Sequence, residues 1–350
     1  MSRFGKVDAN VLERTSFKRR LGKRQVIYGP GRGRDNAVIS LGGKKVLIAT
    51  VDPMSVVPEI GVELSAWLSV HLIASDYWTS GNKPEYAAFN YNFPVSMSLV
   101  DVEAYLDSVN KECNLIGVEV VAGHTGSYPG GGFTVVGGGM MFGTSRAGRY
   151  LTPSMAKPGD SILMTKQAGV EAASYLAMSF PEELQAIVGR KVVDRTKRLI
   201  HQCSVVKDCQ VAATCGLGKD GVTSMHDATE GGVTAGLAEM AYSSGTAFVF
   251  EKTKVPISDE VSAVCKAFRL DPLKTLSEGA LMLTCGGRSE DKILQALKDH
   301  RIPAVRIGRV TRGTGLIEIA HGRKKSIKAS DSDPYWNAFA KPPSKGGRTT

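Results

Sequence analysis

Hydrophobic and polar positions along this chain fall into two successive rounds of mixed strand and helix. In the first round, short apolar or alternating runs predict strands at 37–41 and 45–51, joined as a hairpin at Gly42-Gly43. Helical spacing of Leu64, Trp67, Leu68 and Leu72 predicts a helix from 62 to about 75. Residues 86–93 read as a strand, and 99–112 as an amphipathic helix with Val102, Leu106 and Val109 inward. Residues 118–121 read as a buried strand, and 133–142 as another. The stretch 147–159, with two prolines and two glycines, has the composition of a linker. The pattern then restarts with a strand at 161–165, helices from 170 to about 215, a strand at 221–224 and a helix at 234–241. A strand at 247–251, a helix at 259–268, a strand at 281–285, a helix at 290–300 and strands near 305–310 and 316–320 follow. Strict β-α-β alternation is absent, which predicts two α+β domains rather than a doubly wound sheet.

Composition supports this division. A chain of 350 residues exceeds what one core usually serves, and 42% hydrophobic with 22% charged residues is a globular balance. No apolar stretch approaches the length of a membrane span, and Met-Ser-Arg-Phe-Gly-Lys does not open a signal peptide. The expectation is a cytoplasmic protein with no membrane partner. The net charge of +10 is concentrated at the two ends. Residues 1–34 hold ten Lys/Arg against Asp8 and Glu13, and residues 321–350 hold seven against Asp331 and Asp333. Such arms can bind nucleic acid, fold over a polyphosphate, or remain solvated. No aromatic residues interleave the basic ones in a stacking pattern, which argues against nucleic acid. The tail from Lys341 is expected to be disordered. The six cysteines form no C-x-x-C pair. The spacing of Cys203, Cys209 and Cys215 puts them on drifting faces of one helix, so reduced, buried thiols are expected rather than zinc.

The richest local chemistry is Met225-His226-Asp227-Ala228-Thr229-Glu230-Gly231-Gly232. Two carboxylates and a histidine lie within six residues, between a predicted strand and a predicted helix. Backbone N–H groups at such a turn meet phosphate readily, and carboxylates meet the metal that accompanies it. The plain alternative, an Asp or Thr helix cap, needs only one polar residue. In the first half Asp35, Asp52, Asp76 and His124 each stand at a predicted strand or helix end, or beside glycine. Mg²⁺ takes oxygen ligands, usually one or two carboxylates with water and phosphate, and dispersed aspartates suit that need. Each alone is also ordinary turn chemistry. The loop Gly29-Pro-Gly-Arg-Gly-Arg-Asp-Asn matches neither a P-loop nor a dinucleotide fingerprint; it reads equally as a phosphate-closing flap or a linker.

These motifs, taken in order, resemble the AIR synthase (PurM)-like superfamily, and within it HypE-like hydrogenase maturation proteins and their archaeal relatives. The resemblance rests on Gly33-Arg-Asp35-Asn-Ala-Val-Ile, Thr50-Val-Asp52, Ser75-Asp76 with Gly81-Asn-Lys-Pro84, and Val121-Ala-Gly-His124-Thr125. It continues through the Met225–Gly232 run and Asp271-Pro-Leu with Ser277-Glu278-Gly279, covering about residues 25–320. The last two motifs favour the HypE branch over thiamine-monophosphate kinase. The resemblance implies an α+β, two-domain fold whose N-terminal sheet pairs in a dimeric β-barrel, with an α/β C-terminal domain. It implies a basic arm and glycine-rich flap at 1–35, an ATP-binding and dimerisation domain at 36–150, a C-terminal domain at 156–325 and a tail at 326–350.

ATP and Mg²⁺ are the implied cofactors. Asp35, Asp52 and Asp76 are the implied metal ligands, and Gly31, Gly33, Asn36, Thr50, His124, Thr125 and His226 the nucleotide contacts. Asp227, Glu230 and Glu278 are the implied catalytic residues, facing the nucleotide from the second domain. The implied activity is transfer of the γ-phosphoryl group of ATP to an oxygen of an amide, carboxyl or phosphate-bearing substrate, small or protein-borne, in a homodimer. Two departures stand out. Arg34 and His124 occupy places where acidic residues often occur. The last cysteine is Cys285, so the self-dehydrating carbamoyl chemistry of HypE, which uses a C-terminal cysteine, is not expected. A nucleotide-binding scaffold or maturation partner without catalysis, and a small-molecule kinase, are the competing readings.

Overall fold

A computed structural model describes residues 5–7, 9–17, 22–132, 134–328, 332–341 and 343. They form two compact units. One takes residues 22–29 and 35–150, and the other takes the described parts of 1–21, 30–34 and 151–350. The arm and the flap thus belong with the C-terminal unit.

The N-terminal unit is a six-stranded sheet covered on one face by two helices. Its strands are β1 (Val26–Tyr28), β2 (Ala37–Gly42), β3 (Lys45–Ser55), β4 (Tyr86–Pro94), β5 (Glu119–Tyr128) and β6 (Val135–Arg146). They lie in the order β1-β2-β3-β6-β4-β5. All pairs are antiparallel except β4 with β5, which are joined through the helix Leu99–Ile116 and run parallel. Period-two burial along β3 puts Val46, Ile48, Thr50 and Met54 on the face against the helix Val62–Trp78. The other face carries exposed apolar side chains: Leu41, Val51, Tyr86, Val135 and Met140. The 118–121 run does not form a buried strand as expected. β5 is the last strand of the sheet, pairs with β4 alone among the described residues, and is largely exposed. In the helix Leu99–Ile116 the inward residues are Tyr105, Val109 and Cys113, with Val102 and Leu106 only half-buried.

The C-terminal unit holds seven strands: β7 (Ser161–Thr165), β8 (Val222–Asp227), β9 (Ala247–Glu251), β10 (Leu281–Cys285), β11 (Ala304–Thr311), β12 (Gly315–Ala320) and β13 (Arg323–Ile327). Their order is β13-β12-β9-β11-β7-β10-β8. One core packs Ile162, Met164, Phe248, Phe250, Met282 and Val310 of the sheet against Val233, Leu237 and Met240 of the helix Gly232–Ser244. Fully burying each such side chain stabilises by about 1.5–3 kcal/mol. A second core joins the helices Val170–Ser179, Pro181–Val188, Arg190–Arg198 and Asp259–Ala267, and Tyr335, Trp336 and Phe339 pack into it. That packing gives the helix Tyr335–Ala340 a place where the sequence suggested only a tail. Residues 342 and 344–350, part of the stretch expected to be disordered, lie outside the described residues.

All six cysteines are free and buried, as expected. They do not share one helix, however. Cys203 follows a 3-10 turn, Cys209 lies in the helix Val206–Thr214, and Cys215 stands at that helix's end before Gly216, whose φ of 106° stops it.

Candidate functional site

In the N-terminal unit three sequence-distant residues meet. Thr50 projects from the helix-facing side of β3, with Oγ1 2.6 Å from the Asp35 carbonyl and 3.2 Å from Asp76 Oδ2. Asp76 does not end its helix as expected. The helix runs to Trp78, so the carboxylate sits in its last turn, at the negative end of the dipole, in a turn that holds no basic residue of its own. Asn36, buried at the start of the β2 segment, donates to Thr79 Oγ1 at 3.2 Å, and Thr79 Oγ1 donates to the Asp76 carbonyl at 2.7 Å. This chain of hydrogen bonds ties the Asp35 loop to the helix end. Asp52 lies within β3 rather than at its terminus, two residues beyond Thr50 on the same face. Asp35, Asp52 and Asp76 are all half-buried.

His124 lies elsewhere. Its register through Asn90 and Gly138 to Pro53 puts it in the row next to the one holding Asp52, Gly139 and Phe89. The sheet therefore presents His124 and Asp52 on opposite faces. Thr125, in register with buried Tyr91, is on the helix side. His124 Nε2 is 2.7 Å from the Tyr128 hydroxyl, with the two rings stacked.

In the C-terminal unit the Met225–Gly232 run is not all turn. His226 and Asp227 complete β8 and are buried, and only Ala228–Gly231 forms the bend. His226 Nε2 lies 3.0 Å from Glu239 Oε2, and Nδ1 lies 3.7 Å from Asp227 Oδ1. Burial works against ionisation of Glu239. The hydrogen bond from His226 and the charges of Lys6, His226 and Arg32 outweigh it and hold this carboxyl below its ordinary value. An ionised Glu239 can only accept, so the proton of this bond is on His226 Nε2.

The flap meets the same helix. Gly33 has φ 65°, and a Cβ there would lie 2.5 Å from that of Glu239; at Gly31 a Cβ would lie 2.6 Å from Arg34 Nε. Glu230 is half-buried, and its Oε2 accepts the Lys6 peptide N–H at 2.8 Å. Glu278 is buried, and its N–H donates to Glu171 Oε2 at 2.9 Å. Burial and the carboxylates of Glu171 and Glu278 push the Cys203 thiol well up. Burial with Asp208, Asp227 and Glu278 does the same to Cys209. These acids thus share one interior region with Lys166, whose Nζ lies 2.9 Å from Asp208 Oδ2.

Sequence models of the AIR synthase related protein family match residues 33–144 with the N-terminal domain and 157–320 with the C-terminal domain. The chain belongs to the AIR synthase related family. Among members with curated descriptions, it is 27% identical over 286 residues to the carbamoyl dehydratase HypE of Rhizobium leguminosarum bv. viciae, covering 78% of this chain and 75% of that protein. Its fold matches HypE of E. coli with a TM-score of 0.71 at 21% identity, over 93% of this chain and 98% of that one. A hydrogenase maturation protein HypE solved in complex with ATP matches at 0.66 and 20% identity, over 95% and 97% of the two chains. In this chain each unit carries its own sheet.

Glu171, Glu239, Lys166, Asp208 and Asp333 escaped sequence reasoning. Lys166 carried one structural trace, a left-handed φ of 52° directly after β7, but nothing in the string announces it.

Proposed function

We propose that this chain binds Mg-ATP and transfers its γ-phosphoryl group to an oxygen of an amide, carboxyl or phosphate-bearing acceptor, as a homodimer. The observation that carries this reading is the convergence of Asp35, Thr50 and Asp76, from a loop, a strand and a helix end, with Asp52 on the same face as Thr50. Three half-buried carboxylates, with the Thr50 hydroxyl between the Asp35 main-chain carbonyl and the Asp76 carboxylate, offer only hard oxygen donors, which suit Mg²⁺ better than a softer metal. A bound Mg²⁺ supplies charge neutralisation for the phosphates. Asp35, Asp52 and Asp76 would hold it. Asn36 fixes the loop that presents Asp35, and Gly31, Gly33, Thr125 and His226 remain assigned to the nucleotide, while His124, on the sheet face opposite Asp52, is set apart from it.

Asp227, Glu230 and Glu278 are assigned to the acceptor side, where carboxylates orient the accepting group and take its proton. Cys285 is a poor carrier of any acceptor: it is fully buried in β10, and burial first, then Glu290 and Asp160, push its thiol up to about 12. HypE with ATP supports the nucleotide assignment through shared fold. The exposed apolar row Leu41, Val51, Tyr86, Val135 and Met140 supports pairing of two N-terminal sheets, since an open apolar sheet face seeks a cover.

The test is ADP release from Mg-ATP with a panel of small amides, carboxylates and phosphate esters. Acceptor-dependent turnover that disappears in Asp52→Asn and Glu278→Gln is expected. Tight Mg-ATP binding with no turnover on any acceptor would favour a nucleotide-binding scaffold instead.

A further inference from the structure

We propose that the amino-terminal arm is a positioning element for Glu230, orienting its carboxylate through the peptide N–H of Lys6. The proposal rests on the reading of Glu230 as a site residue, and every contact it uses lies within the C-terminal unit.

The contact at Glu230 is built from backbone. Lys6 N–H donates to Glu230 Oε2 at 2.8 Å, and Lys6 Nζ reaches Thr229 Oγ1 at 2.9 Å. Gly5 makes the approach possible. Its φ is 87°, and a Cβ there would lie 2.7 Å from both Glu230 Oε2 and Trp336 Nε1. No other residue type fits that backbone in that space.

A second anchor holds the arm further along. Tyr242 donates its hydroxyl to Glu13 Oε1 at 3.0 Å, and Arg32 of the flap lies 5.4 Å over the same ring. Thr229 and Glu230 precede the helix Gly232–Ser244, and Tyr242 lies near its end, so arm and flap grip this segment at both ends.

The carboxyl-terminal segment holds the neighbouring residue. Buried Asp333 accepts the Gly231 N–H at 2.7 Å, the Thr275 hydroxyl at 3.0 Å and the Tyr335 N–H at 2.8 Å. Glu230 and Gly231 are therefore fixed from opposite ends of the chain. Asp333 is interior and Lys6 is exposed, so the arm's grip is the more readily opened of the two. The working atom is the N–H of Lys6: the side chain can change, the N–H cannot.

Hydrogen exchange on nucleotide-free protein tests this directly. Lys6→Pro, which removes the N–H at an exposed position outside any helix, and deletion of residues 1–17 should each speed exchange over 228–234 by about tenfold, with the melting temperature nearly unchanged. Lys6→Ala keeps the N–H and should stay close to the parent. Glu230→Ala should speed exchange of residues 5–14 in return, and Lys6→Pro with Glu230→Ala together should add nothing further. Unchanged exchange over 228–234 in both the proline and the deletion proteins would overturn the proposal, as would an alanine variant as perturbed as the proline one. No nucleotide enters the experiment, so its outcome is independent of whether Mg-ATP binding itself is found.

Discussion

Replacing Asp76 with asparagine separates a functional carboxylate from a structural one. Asp76 sits in the last turn of the helix Val62–Trp78, where the macrodipole disfavours negative charge and the turn itself holds no Lys or Arg. That placement costs about 0.3–1 kcal/mol. Its hydrogen bond from Thr50 is long, at 3.2 Å, and the Thr50 hydroxyl has a shorter one, at 2.6 Å, to the Asp35 carbonyl. Asparagine keeps an acceptor for Thr50 and removes the charge. Asp76→Asn should therefore leave the thermal midpoint unchanged or raise it by about 1–3 °C, the shift expected for a few tenths to one kcal/mol in a domain-sized unit. Mg-ATP affinity should move the other way. Loss of one charged ligand, worth about 1.5–3 kcal/mol, corresponds to a fall of about ten- to a hundredfold. Differential scanning calorimetry and isothermal titration on the same preparations read both quantities. A lowered midpoint with unaltered Mg-ATP affinity would refute the reasoning, because Asp76 would then serve the fold alone.

Burial holds the His71 imidazole neutral, down from 6.5 to about 4, beside Trp67 and Glu112. The unfolded chain takes up the proton first, so stability is fully present above pH 6.5 and is lost as pH falls towards 4. The loss is about 3 kcal/mol and should shrink in His71→Phe, as read by urea unfolding across that window. Gly33→Val forces a branched side chain into a left-handed backbone against Glu239. It should lift the flap, seen as faster proteolysis near residues 30–34 with little change in the rest of the chain. Val51→Glu puts a charge into the open apolar face of the N-terminal sheet. It should convert a dimer to monomer in analytical ultracentrifugation, and an unchanged sedimentation coefficient would exclude that face as the interface.

Much of the fold was readable because β3 alternates in burial along most of its length and β7, β9 and β10 are short, mostly apolar runs. Where reading failed, the reasons are local. The strand read as 45–51 continues to Ser55, past Pro53, because β2 stops pairing at Ala49 and only β6 ladders with β3 beyond it, so one side of the strand makes no demand on the missing N–H. That shift moves Asp52 from a strand end into a strand interior. Val120-Val121 reads as core, but sheet order leaves β5 at an edge, and order is not written in a local run. β13, a charged Arg-Lys-Lys-Ser-Ile strand, has no apolar alternation. It is set by the turn at His321 and Gly322, both at positive φ.

The candidate site divides the same way. Asp35, Thr50 and Asp76 stood out as motif residues, and the structure brings them together. His124 stood out equally and lies on the opposite face of the sheet from Asp52. Glu171, Asp208 and Lys166 were invisible because no motif surrounds them in the string, and only long-range packing assembles them. Asp333 was hidden for another cause: the aromatic cluster Tyr335, Trp336 and Phe339 that holds its segment was read as part of a tail.

Asp35, Asp52 and Asp76 are proposed to hold a magnesium-bound triphosphate. Titration of the nucleotide-free protein with a non-hydrolysable ATP analogue, with Mg²⁺ and then with chelator, examines it most directly. Saturable binding of one nucleotide per chain that needs Mg²⁺ and fails in Asp52→Asn, with folding intact, is the result expected. Equal binding by parent and Asp52→Asn, or no Mg²⁺ dependence, would contradict it.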